Sequence, residues 1–108
     1  MTIAGRNVQI NIPEQAIAKF CKRWHIEELA LFGSVVRADF NSDSDVDVLI
    51  SLPSDIFPSV TEWLAMVGEL SKIFGRPVDL MTRAALERDH NALFKASVLN
   101  SAQIIYGS

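Results

Sequence analysis

Apolar residues recur along the chain at two periods, and the switches between them divide it into elements. From Pro13 to Trp24 the positions Ile17, Phe20, Cys21 and Trp24 fall three or four residues apart, which predicts a helix burying one stripe. Pro13 suits its first position and Glu14 its positive end. The short run Glu28 to Phe32 predicts a strand that stops at Gly33. After a polar segment, Val46 to Leu52 predicts a second strand, closed by Pro53. Asp55 to Ser59 reads as a loop bearing Pro58. Helical spacing returns in Val60, Trp63, Leu64, Val67, Leu70 and Phe74 and stops at Gly75. Pro77 to Met81 predicts a third strand, Ala84 to Leu86 a helical turn, and Ala102 to Tyr106 a last strand. Between them, Asn91 to Ser101 places Leu93, Phe94, Val98 and Leu99 along one helical stripe. Weak alternation at Val8, Ile10 and Ile12 fits an extension or edge strand without an assigned function.

The order helix, strand, strand, helix, strand, helix, strand predicts an α/β (α+β) fold, a mixed sheet flanked by helices. With 108 residues the chain suffices for one domain with a real core, residues 1–108, and not for two. Hydrophobic residues at 49% and charged residues at 21% exclude a disordered composition. The net charge of −3 and the pI of about 5.2 carry no basic footprint, so direct nucleic-acid binding is not expected. No apolar stretch approaches the ~20 residues that span a bilayer, and the first residues lack a signal-peptide pattern. A cytoplasmic protein with no membrane partner is the expectation. Cys21, Trp24, Trp63 and Met66 lie on helical stripes and read as core; His25 reads as a helix-end residue and His90 as an exposed turn residue.

Chemistry concentrates between Leu31 and Leu52. Alternation places Asp45 and Asp47 on one strand face and Val46, Val48 and Ile50 on the other. Two carboxylates ~4 Å apart repel by ~4 kcal/mol at an effective dielectric near 20, so protons or a cation must answer them. A solvated sheet face is the structural alternative. A hard divalent cation prefers carboxylate oxygens and keeps positions open for water and phosphate. Gly33 lets backbone approach a ligand, and Ser34 can open a short helix through Arg37 whose free amide groups suit a phosphate. Arg37 lies one turn along, within reach of a phosphate oxygen or an aspartate. Asp39 and Asp43 read as solvated turn acids.

Gly33-Ser34-x-x-Arg37 followed by Ser44-Asp45-x-Asp47-Val48 resembles the active-site signature of the nucleotidyltransferase superfamily that includes DNA polymerase beta. More narrowly, the chain is similar to the minimal nucleotidyltransferases encoded beside HEPN-domain proteins in toxin-antitoxin pairs. The late segment Arg76-Pro77-Val78-Asp79-Leu80 also fits, so the likeness covers nearly the whole chain. One position departs from the pattern: many members have glycine after the motif arginine, where this chain has Ala38.

The resemblance implies a polymerase beta palm-like sheet and a third carboxylate, Asp79, on another strand. It implies that Asp45, Asp47 and Asp79 hold two Mg²⁺ ions, with Mn²⁺ as a substitute, and that Gly33, Ser34, Arg37 and Ser44 hold the triphosphate of ATP. The activity it implies is transfer of AMP to a hydroxyl, in this branch a tyrosine of the HEPN partner, which silences the partner's RNase activity within a hetero-oligomer. Two alternatives stand beside it: a module that inhibits its partner by contact alone, and a nucleotidyltransferase for a small molecule such as an antibiotic or sugar.

Overall fold

The computed structural model describes residues 12–33 and 45–107. The expected extension around Val8 and Ile10 lies outside the described residues, as do Ser34, Arg37, Ala38, Asp39, Asp43 and Ser44.

Helix α1 spans Glu14–Arg23, with Pro13 and Trp24 as its caps rather than its end residues. His25, at a φ of 60°, turns the chain out of the helix, and the Ile26 N–H reaches back to the Cys21 carbonyl at 2.8 Å. Strand β1 is Glu28–Phe32 and strand β2 is Val46–Ser51, one residue shorter than expected. Helix α2, Val60–Phe74, starts from a capping box in which Ser59 and Glu62 satisfy each other's backbone N–H groups. It ends at Gly75, whose φ of 70° supplies the left-handed turn.

Strand β3 is Val78–Thr82, displaced one residue from the predicted Pro77–Met81. Thr82 accounts for the shift: it closes the strand and caps helix α3, Arg83–Glu87, by accepting the Ala85 N–H at 3.1 Å. Helix α4, Ala92–Ser101, and strand β4, Gln103–Tyr106, complete the fold. The stripe expected on α4 is only partly buried. Val98 packs inward, whereas Leu93 and Leu99 are exposed, because the sheet face beneath offers few apolar partners and α3 shares them.

The four strands form one mixed sheet in the order β3-β2-β1-β4. β2 pairs antiparallel with β1 and parallel with β3, and β4 pairs antiparallel with β1. One face carries Leu29, Leu31, Val46, Val48, Ile50 and Leu80, packed against Ile17, Phe20 and Cys21 of α1 and Met66 and Leu70 of α2. Each large side chain buried there stabilises the fold by about 1.5–3 kcal/mol. The other face is smaller: Ala30, Phe32 and Leu49 meet Leu86 of α3 and Val98 of α4. No helix among the described residues is long and apolar enough to cross a membrane.

Candidate active site

The smaller face of the sheet brings the sequence-predicted carboxylates together. The Val46 N–H donates to the Pro77 carbonyl at 2.9 Å, which fastens the start of β2 to the start of β3. The register that follows puts Asp47 directly beside Asp79. Neighbouring strands lie about 4.8 Å apart and adjacent partners share a face, so the two carboxylates stand side by side. Asp47 is half-buried and Asp79 exposed. Asp45 is exposed at the mouth of β2, two residues ahead of Asp47.

On the other side of Asp47 stands β1. Phe32 is the register partner of Asp47, and Gly33 follows it at a φ of 71°. A Cβ on Gly33 would overlap the Asp47 carboxylate Oδ2 and lie 3.2 Å from its Cγ. Glycine therefore serves this site twice, by its backbone conformation and by leaving room for the carboxylate. The apolar cover from α3 and α4 reaches Phe32 and Leu49 and stops there. Asp47 and Asp79 lie beyond that cover, at the end of the sheet where β1 leads into Gly33.

Like charges directly opposite each other on paired strands are unfavourable unless something answers them. Two adjacent hard oxygen donors fit Mg²⁺ or Mn²⁺, which take one or two carboxylates and complete their shell with water and substrate phosphates. Among the described residues no three His, Cys, Asp or Glu side chains gather as a ligand set. The sheet thus brings Asp47 and Asp79 together beside Gly33, and Asp45 stays at the rim. Ser34, Arg37 and Ser44 lie outside the described residues.

Sequence reasoning missed Phe32 and Leu49 as the apolar floor of the site. Their signal was the adjacent pair Leu49-Ile50, which requires a strand covered on both faces. Cys21 takes no part: it is fully buried, and burial pushes its thiol up to about 12, away from nucleophilic chemistry.

The profile of the family described as nucleotidyltransferase domain matches residues 14–105. A candidate protein adenylyltransferase of Methanocaldococcus jannaschii is 33% identical over 76 residues, 70% of this chain and 73% of that protein. Among solved structures, a chain from a toxin-antitoxin crystal structure with AMP-PNP is similar with a TM-score of 0.67 at 19% identity, covering 89% of this chain and 74% of that one. A chain from a Shewanella oneidensis complex, a tri-AMPylated HEPN toxin with its MNT antitoxin, gives 0.58 at 20% identity over 88% and 70%. At these identities the two structures speak to the fold, the mixed four-stranded sheet with its helices.

Proposed function

We propose, because this chain belongs to the nucleotidyltransferase domain family, that it transfers AMP from ATP to a tyrosine hydroxyl of a HEPN-type toxin and so acts as the antitoxin. Family membership makes the chain a transferase. The observation that carries the finer reading is the direct register of Asp47 with Asp79 beside Gly33. Support for the acceptor and the nucleotide comes from the similar proteins, one a candidate protein adenylyltransferase and others toxin-antitoxin complexes with AMP-PNP or with an AMPylated toxin.

In this reading Asp47 and Asp79, joined by Asp45 from the rim of the site, would hold two Mg²⁺ ions. When bound, such ions stabilise the charge on the entering and leaving oxygens of an in-line displacement at phosphorus. The chain's own residues do the rest. The Gly33 backbone, Ser34 and Ser44 hold the triphosphate tail, and Arg37 offsets its charge. The acceptor oxygen forms a bond to the α-phosphorus while the bond to the β-phosphate oxygen breaks, releasing pyrophosphate. Asp79 takes up the acceptor's proton. Transfer needs that hydroxyl held in line, which a partner docked on the open end of the sheet supplies.

Intact-mass spectrometry of the HEPN protein, incubated with this chain, ATP and Mg²⁺, tests the proposal. Wild type should add AMP units, and Asp45→Asn/Asp47→Asn should add none. A partner that is inhibited without any change of mass replaces the enzymatic reading with inhibition by contact.

A further inference from the structure

A groove of about 520 Å³ opens at the other end of β2 and β3, between the loop 53–58 and α3. Its lining residues Ser51 and Thr82 lie four and three residues along β2 and β3 from Asp47 and Asp79, roughly 10–13 Å from the carboxylates at ~3.3 Å per residue. Its wall is built rigidly. The Ile56 N–H donates to the Pro53 carbonyl at 3.0 Å, closing a turn, and Pro58 fixes the backbone just before the Ser59 cap of α2. Phe57 is thereby presented outward, 84% exposed, and the apolar surface continues onto α2 through Val60 at 79% and Leu64 at 65%. Single exposed apolar residues are ordinary, but three in succession at one end of the molecule mark an interaction surface.

Charge specifies what fits the groove. Arg83 is met by Glu28 at 3.6 Å and by Glu87 at 3.9 Å. Arg88, exposed at the groove, has no ion pair among the described residues, and neither does the exposed Asp55 two residues before Phe57. The groove therefore suits an apolar body that carries a carboxylate. The loop forming its own wall displays such a body, Phe57 with Asp55. We propose that a second copy of this chain occupies the groove. Across a two-fold axis, Phe57 of each copy enters the groove of the other and stacks against its Phe57, while Asp55 of each meets Arg88 of the other. Exchange of the same parts in both directions closes the assembly at two copies. Val60 and Leu64 are covered at the margin, and the opposite end of the sheet, bearing Asp47 and Asp79, stays open.

Sedimentation equilibrium of the 108-residue chain over a broad micromolar range tests this. Wild type should move from 12.0 kDa toward twice that mass as concentration rises. Asp55→Arg and Arg88→Asp, each placing like charges together, should weaken the dimer by about tenfold or more. The double variant Asp55→Arg/Arg88→Asp should return to within about threefold of wild type. Phe57→Ser should leave a monomer. All three positions are exposed, so the fold is retained, as a cooperative melt will verify. A 12.0 kDa species at every concentration, a dimer indifferent to both single reversals, or a double variant that does not recover overturns the proposal. Because the surface is remote from the carboxylates, these outcomes are independent of the AMP-transfer assay.

Discussion

The α-carbon of Gly33 lies against the carboxylate of Asp47, in the space where any other residue would place its Cβ. With a φ of 71° as well, the position excludes other side chains on two counts. Gly33→Ala should therefore cost about 1–3 kcal/mol in urea unfolding. It should also lower AMP transfer by about 100-fold, since displacing a reacting group by an ångström has that scale of effect. A variant with wild-type transfer would separate Gly33 from the site.

A single carboxylate joins the two helices of the larger core face. Glu69 Oε1 on α2 accepts from the Trp24 Nε1–H at 3.2 Å and from Arg23 Nη1 at 3.1 Å, both at the end of α1. The Arg23 contact is largely exposed and screened, so the Trp24 bond carries most of the effect. Glu69→Ala should cost roughly 1 kcal/mol and change tryptophan emission, whereas Arg23→Ala should change stability by less than about 0.5 kcal/mol. Equal losses from the two variants would reverse that ranking.

The elements themselves were legible in the sequence, because local pattern sets them, and the pairing of distant strands was not. The alternation at Asp45 and Asp47 and the stop at Gly33 depend on neighbouring residues, and the β1 prediction, Glu28 to Phe32, matches residue for residue. The adjacency of Asp47 and Asp79 depends on a parallel pairing reached only after α2 crosses the sheet. Asp79 entered the site through its resemblance to a known motif rather than through its own spacing. The placement of β4 beside β1, with a register shift between Leu29 and Ala30, likewise follows from what the finished sheet buries. On α4 periodicity overstated the buried stripe, because it reports which residues share a helix side and not how much apolar surface awaits them.

Cys21 sets an alkaline limit on stability. Its thiol ionises at an ordinary 9.0 in the unfolded chain, while burial pushes it up to about 12 in the fold. Below pH 9 both states keep the proton. Between about pH 9 and 12 the unfolded chain releases it and the folded chain does not, so stability falls by up to ~1.4 kcal/mol per pH unit. Chemical unfolding at successive pH values should show a shallower alkaline slope in Cys21→Ala than in wild type, even though that variant starts less stable. Parallel slopes would remove Cys21 as the cause.

The register of Asp47 with Asp79 makes opposite predictions for the empty and the loaded site. Without a divalent ion, removing one of two like charges on paired strands should relieve about 0.2–1 kcal/mol. Asp79→Asn should then melt a few degrees above wild type, at the ~4–8 °C per kcal/mol of a domain this size. With ATP and Mg²⁺ at about 100 times their dissociation constants, wild type should gain ~2.7 kcal/mol from binding, and the variant should gain little. The order of the two melting temperatures should therefore invert when ion and nucleotide are added. A residue placed only for packing would lower the melting temperature in both conditions, and a solvated surface acid would alter it in neither. Inversion is the outcome that a shared cation site requires, and melts of the two proteins with and without ligand are sufficient to look for it.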